Sequence, residues 1–171
     1  LAMTIRLRHY EHSRHFFFSR VLSTLQIMKK VSVGILLRNG TVLACQRKPD
    51  ARYPLKWEFP GGKVEGGETY EQTLIREIHE ELSLRITGGE EFYHQEWTYH
   101  DSASPENRSG TYSVSYFLVR DFDGDPVNNA FHEIRWVSPR ELQSMDILEG
   151  NAEAIRRLIL HHEEDRDRRQ V

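Results

Sequence analysis

The sequence predicts an α+β domain, a layered α/β/α sandwich built on a mixed sheet, and three observations predict it. β-branched apolar runs are interspersed with two amphipathic helical stretches instead of forming a purely α or purely β series. Clusters of glycine and proline cut the chain into short elements. The 171 residues lie near the roughly 150 expected of one domain, enough for one real core.

The elements follow in order. "VSVGILL" and "TVLACQR" are strands joined at Asn39-Gly40, a dipeptide that suits a two-residue hairpin turn, so they pair antiparallel. After a loop holding Pro49 and Pro54, "KWEFPGG" gives a short strand that breaks at Pro60. "GGKVEGGE" reads as a loop because of Gly61, Gly62, Gly66 and Gly67. Thr69 and Gln72 have the spacing of a capping box, which starts a helix over about 70–82. Strands return at "FYHQEWTYH", "TYSVSYFLVR" and "EIRWV", the first two joined by "DSASPENRSG", read as a mobile loop. Ser138, Pro139 and Glu141 announce a short helix, and "GNAEAIRRLILHH" forms a terminal one. No internal repeat or low-complexity tract interrupts this order.

Composition bounds the partners. Hydrophobic residues make up 38% and charged residues 29%, as in a soluble globular protein, and no apolar run approaches the about 20 residues that cross a bilayer. A cytoplasmic protein without a membrane partner is expected. Cys45 is the single cysteine, so there is no internal disulfide and no thiolate zinc cage; it reads as a small core residue. Residues 1–30 carry Arg6, Arg8, Arg14, Arg20, Lys29 and Lys30 against Glu11 alone, a charge of +5 that leaves −8 on the rest. An acidic body argues against nucleic acid as the main partner, because duplex binding needs a basic face. The first 28 residues have the composition of an organellar transit peptide, yet Met28 followed by "KKVSVGILL" reads as a start. The expected organisation is therefore a basic extension over 1–28 with no part in the fold, a domain over 29–160 and a charged tail over 161–171.

"REIHEELSL" at 76–84 carries the chemistry. Leu74, Ile75, Ile78 and Leu82 fall within an arc of about 100°, the stripe that packs on a sheet. Glu77 and Glu81 lie just outside its edge and Glu80 one step further round. Charges about 5 Å apart at an effective dielectric of about 20 repel by roughly 3 kcal/mol, and the helix has no lysine to offset this. A solvated acidic face is the ordinary explanation of paired glutamates. Here a glycine-rich loop that can approach phosphate closely precedes the helix N-terminus, and Lys63 adds a cation. Loop and helix together place a hard divalent cation, Mg²⁺ or Mn²⁺, beside a polyphosphate.

These residues also match a known pattern. Five residues separate Gly62 from Glu68, seven separate Glu68 from Arg76, and the run continues through Glu77, Ile78, Glu80, Glu81 and Leu84. This resembles the signature box of the Nudix hydrolases, with Ser83 where the family has glycine at the helix end. A serine forced into a left-handed conformation there costs on the order of 1 kcal/mol. The resemblance extends from about Lys29 to Leu160 and is strongest to the MutT-like branch, through "VSVGIL", "WEFPGGKVE", "FLVRDFDGDP" and "GNAEAI"; the loop at 101–110 departs from it.

The resemblance implies an α/β/α fold and Mg²⁺-dependent hydrolysis of a nucleoside diphosphate linked to another group. It makes Glu77, Glu80, Glu81 and the Gly62 carbonyl metal ligands, and Glu68 and Arg76 structural supports. Glu80 and Glu133 are both candidates for the general base, Glu133 as a further carboxylate brought to the metals. It implies that Arg47 contacts phosphate and that Phe59 lines the nucleoside pocket; read without it, Arg47 is a strand-end arginine and Phe59 plain core, while Lys63 beside the glycine loop is expected to bind the substrate. Asn151 is implied as the base-reading residue. Its amide can donate to O6 of 8-oxoguanine and accept from N7–H, a proton guanine lacks; its other reading is a cap on the last helix. The expected substrate is 8-oxo-dGTP or dGTP, cleaved to monophosphate and pyrophosphate in nucleotide-pool sanitation by a monomer or homodimer. CTP or a methylated dCTP, ADP-ribose, dinucleoside polyphosphates and a non-hydrolysing nucleotide sensor are the alternatives.

Overall fold

The computed structural model describes residues 28–99 and 110–168. The basic segment through residue 27, and the loop expected at 101–110 apart from Gly110, lie outside the described residues.

Strands β1 (Lys29–Arg38) and β2 (Thr41–Gln46) form the expected hairpin, with Leu37 opposite Val42 and Arg38 opposite Thr41. Asn39 and Gly40 have φ of 51° and 77°, the left-handed pair that a tight primed turn requires. β3 (Trp57–Glu58) pairs antiparallel with the end of β2, Glu58 opposite Cys45 and Trp57 opposite Gln46.

The next element corrects the sequence reading. Gly61–Lys63 is a strand, β4, antiparallel to β1, with Gly61 opposite Val33 and Gly62 opposite Ser32. The glycines that suggested a loop are what permit this pairing. Gly61 has φ of 145°, and a Cβ there would collide with the Ser32 carbonyl. Only glycine lets the backbone close on its neighbour.

Helix α1 (Tyr70–Leu82) begins at the expected capping box. Gln72 N–H donates to Thr69 Oγ1 at 3.2 Å and Thr69 N–H to Gln72 Oε1 at 2.8 Å. It ends at Ser83, whose φ of 55° and ψ of 20° are left-handed. Two short strands that the sequence reading did not foresee, β5 (Arg85–Ile86) and β8 (Phe122–Asp123), pair in a small separate sheet. At two residues each they are too short to show a period.

β6 (Glu90–Tyr99), β7 (Gly110–Val119) and β9 (Glu133–Val137) occupy the three later runs. β7 lies parallel to β1, while β6 is antiparallel to β7 and β9 to β2. The main sheet runs β3-β2-β1-β7-β6, with β4 beside β1 and β9 beside β2, so it is mixed. The short helix after Pro139 is a 3₁₀ turn over Glu141–Ser144. A second 3₁₀ turn, Glu149–Asn151, leads into α2 (Ala152–Arg168), a helix that continues past residue 160.

Side chains alternate across the sheet and build two cores. Val33, Ile35, Val42, Ala44, Val114, Tyr116 and Leu118 pack with Ile155, Leu158 and Ile159 of α2. Leu36, Leu43, Cys45, Phe117 and Val119 pack with Leu74, Ile78 and Leu82 of α1. Gly34 lies under α1, where a Cβ would meet Leu74 and Ile78 Cδ1 at 3.0 Å each; its missing side chain sets how closely that helix approaches. Among the described residues no helix is long and apolar enough to cross a membrane.

Candidate active site

Burial of Thr73, Leu74, Ile78 and Leu82 on the sheet fixes where the acids of α1 go. Glu77 and Glu81, each one residue short of a buried leucine or isoleucine, sit at the border of the packed face, and Glu80 points outward. The Glu77 side chain is 14% exposed and that of Glu80 57%. β4 passes along this border. Gly61 N–H donates to Glu81 Oε2 at 2.9 Å, and the Glu77 carboxylate rests where a Cβ of Gly62 would stand.

Arg76 answers part of the crowding that the sequence left to a cation. Its Nε donates to Glu68 Oε1 at 2.8 Å, its Nη1 to Glu77 Oε1 at 2.9 Å and Glu80 Oε2 at 3.4 Å, and its Nη2 to Glu68 Oε2 at 3.0 Å and the Lys63 carbonyl at 3.1 Å. One guanidinium thus ties the glycine loop to the helix by charge-assisted bonds. Arg76, with Thr73 and the Glu65 N–H, holds the Glu68 carboxyl down at about 2.

Glu81 is left out of this arrangement. Burial pushes its carboxyl up to about 8, and Glu77, Glu58 and Glu80 add to the rise, against the single Gly61 N–H. Glu58 is the residue that sequence reasoning missed. Paired with Cys45, it projects onto the α1 face, and burial, then Glu81 and Glu58, pushes the Cys45 thiol up. Its only signal in the sequence is an acid between two apolar aromatics in "WEF". Burial also raises the Glu58 carboxyl, while Arg47 opposes that rise by donating from Nη1 to both of its oxygens at 2.7 and 2.8 Å.

Glu133 is a correction. It is opposite Gln46 at the start of β9 and belongs to the α2 face. Its carboxylate bonds to Arg135 at 2.7 Å, and the Arg135 guanidinium lies over Trp57, a member of the α2-side core, 5.2 Å from the ring centroid. The period-two alternation of a strand turns it away from the glutamates of α1, so it does not join them.

On the α2 side, a cavity of about 350 Å³ opens beside β4, within the range of small-molecule sites. Val31, Val33 and Val114 floor it, Trp97, Tyr99 and Tyr112 wall it, and Arg47, Lys63, Phe59 and Asn151 all face it. Phe59 is therefore both core and cavity wall. Asn151 is only 6% exposed. The Tyr116 hydroxyl receives a bond from Gln95 Nε2 at 3.2 Å and reaches Asn151 Oδ1 at 3.1 Å and the Gly150 carbonyl at 2.9 Å. The carboxamide is thus held from below rather than spent on capping α2.

The donors at the α1 edge suit a hard divalent cation. They are oxygens only, and one of them, Glu81, is a buried acid whose ionisation is held back until a positive charge compensates it. In this arrangement Glu77 is turned to Arg76 and Glu81 to Gly61, and among the described residues no three acidic, imidazole or thiol groups gather as a metal cage.

Comparison with known proteins agrees with this architecture. The NUDIX domain family model matches residues 28–158. The chain is 30% identical over 131 residues to the 8-oxo-dGTP diphosphatase of Haemophilus influenzae, covering 76% of this chain and 90% of that protein. It is 33% identical over 114 residues to the CTP pyrophosphohydrolase of Escherichia coli, covering 67% and 78%. Among solved structures it resembles the E. coli ORF135 protein (TM-score 0.65, 26% identity, 78% of this chain and 89% of that one). It also resembles a MutT from work on Aliivibrio salmonicida and Vibrio cholerae (TM-score 0.63, 26% identity, 78% and 98%). With the box residues lined up along β4 and α1, and the family model spanning most of its length, the chain belongs to the Nudix hydrolase family.

Proposed function

We propose that this Nudix hydrolase is a nucleoside triphosphate pyrophosphohydrolase that cleaves 8-oxo-dGTP, and dGTP less readily, to the monophosphate and pyrophosphate, so cleansing the nucleotide pool. The observation that carries the base assignment is the Asn151 carboxamide, buried in an aromatic cavity and oriented by Tyr116. Its oxygen has a second lone pair for the N7–H of the oxidised base and its nitrogen has hydrogens for O6. An analogue without that N7–H leaves a buried acceptor unpaired, which is costly. The 8-oxo-dGTP diphosphatase names among relatives support the same reading.

The base would lie in the cavity on the α2 side, and the phosphates would pass Arg47 and Lys63 at the β4 edge toward α1. Nudix hydrolases generally use divalent metal ions, and here Glu77, Glu80, Glu81 and the Gly62 carbonyl would hold Mg²⁺ or Mn²⁺. Such an ion, when bound, neutralises phosphate charge and lowers the pKa of water. Water attacks phosphorus, one P–O–P bridge breaks, and the departing pyrophosphate takes the bridging oxygen. Glu80, the most exposed of the three and only loosely tied to Arg76, would accept the proton of that water. Arg76 and Glu68 hold the loop against the helix while this happens.

A second reading, CTP or a modified dCTP, is favoured by the relative named CTP pyrophosphohydrolase. A panel of nucleoside triphosphates with Mg²⁺, scored for pyrophosphate and monophosphate, separates the two. The guanine reading expects the highest kcat/KM for 8-oxo-dGTP; a panel led by a cytosine nucleotide replaces it, and one led by ADP-ribose or a dinucleoside polyphosphate discards both.

A further inference from the structure

The geometry points to Glu58 as a positioning residue that sets Arg47 for the phosphate chain; this rests on the reading that a polyphosphate passes the β4 edge. Glu58 stands on β3 and Arg47 directly follows β2, and the two face two cavities at once. One is the 350 Å³ aromatic cavity, and the other is a 360 Å³ cavity on the α1 side whose lining includes Glu81. They are the residues common to both linings, so the pair stands where a ligand reaching from the base pocket to the acidic helix must pass.

The bonds of Arg47 decide what it offers such a ligand. Nη1 is spent on both oxygens of Glu58 at 2.7 and 2.8 Å, and Nε on the Arg52 carbonyl at 2.7 Å. Arg52 lies in the loop between β2 and β3, where Tyr53 and Leu55 have left-handed φ of 57° and 58°. With one edge of the guanidinium pinned on two sides, Nη2 and its two hydrogens have no acceptor among the described residues. A planar guanidinium oriented in this way gives up little freedom when it meets an anion. Glu58 is 16% and Arg47 24% exposed in their side chains, so the charge of Glu58 also keeps a half-buried cation in place before substrate arrives. An arginine loosened from Glu58 would swing, and a phosphate would have to pay for ordering it.

The sequence could not assign this role, because Glu58 and Arg47 meet only through the β2–β3 register. The role also differs from metal binding, since the carboxylate of Glu58 is closed by the guanidinium.

The test is calorimetric binding of inorganic tripolyphosphate with Mg²⁺, of a methylene-bridged guanine deoxynucleoside triphosphate and of the matching nucleoside. The variants are Glu58→Gln, Arg47→Ala, the double variant and Arg47→Lys, with melting curves to check folding. Glu58→Gln is expected to weaken both phosphate ligands about tenfold, the size of one well-aligned charge-assisted bond, and to leave the nucleoside unchanged. It should raise KM far more than it lowers kcat. In the Arg47→Ala background it should change nothing further. If Glu58→Gln does not fold, Arg47→Lys, which keeps the charge without the fork, should show the same phosphate-only loss. Unchanged phosphate binding in these variants, losses that multiply in the double variant, or a wild type that does not bind tripolyphosphate would each overturn the proposal. Tripolyphosphate binding with the expected pattern, beside a silent nucleotide panel, would uphold it and discard the substrate reading.

Discussion

A carboxyl pushed up to about 8 in the folded protein, as burial does to Glu81, holds a proton that the unfolded chain releases near 4.5. Between those values the native state binds more protons than the unfolded one, so the stability this group contributes is full below about pH 4.5 and is lost as pH rises through about 8. Denaturant midpoints of the metal-free protein should therefore fall between pH 5.5 and 8.5, and Glu81→Gln should flatten that slope; parallel slopes in the two proteins would show that Glu81 is not the source. Added Mg²⁺ should restore the midpoint at high pH in wild type alone. In turnover assays Glu81→Gln should abolish metal-dependent pyrophosphate release while leaving the circular dichroism spectrum intact, and equal activity would refute its role as a ligand. On the proposed reading, Asn151→Ala should erode the preference for 8-oxo-dGTP over dGTP, by about 10-fold or more for the loss of a buried hydrogen-bonding pair. An unchanged ratio would mean that Asn151 does not read the base. Neither role could be weighed from residue type alone, since an asparagine before a helix is as often a cap.

At the scale of elements, α1 shows how much local rules can specify. The capping box, the apolar stripe and the border positions of Glu77 and Glu81 all follow from spacing within a few residues, and the helix has them. Its end carries the one departure within the signature box: Ser83 adopts the left-handed conformation that glycine takes without strain, and its Oγ accepts a bond from Asn129 Nδ2 at 2.8 Å. Ser83→Gly should relieve the backbone strain but lose that bond and loosen the unfolded chain, a net gain of no more than about 1 kcal/mol. The check is a melting temperature raised by at most about 4 °C; a clear fall would show that the Asn129 bond outweighs the strain. β4 teaches the opposite lesson. Four glycines in eight residues read as a loop, yet two of them form a strand because β1 offers an edge that only a backbone without Cβ can approach.

For the whole molecule, the proposed site spans one sheet that carries two layers. The aromatic cavity lies on the α2 side, the acids on the α1 side, and β4 and the Arg47–Glu58 pair join them at the edge. The spacing of α1 from the sheet rests on Gly34. Gly34→Val would press on Leu74 and Ile78, destabilise by about 1–3 kcal/mol as overpacking does, and lower kcat through displaced glutamates while nucleoside binding on the other face persists. Denaturant unfolding and nucleoside calorimetry check this; an equal loss on both faces would mean that the layers are not independent.

The hairpin at Asn39-Gly40, the capped helix, the family of the enzyme and the acids at the helix border are legible in the chain, because each is written in residues a few positions apart. Strand pairing and packing between distant segments settle that Glu58 rather than Glu133 faces Glu81 and that Asn151 is braced by Tyr116. Those outcomes depend on strand register and on which face of a sheet each side chain takes, and a shift of one residue in pairing between distant segments reverses them.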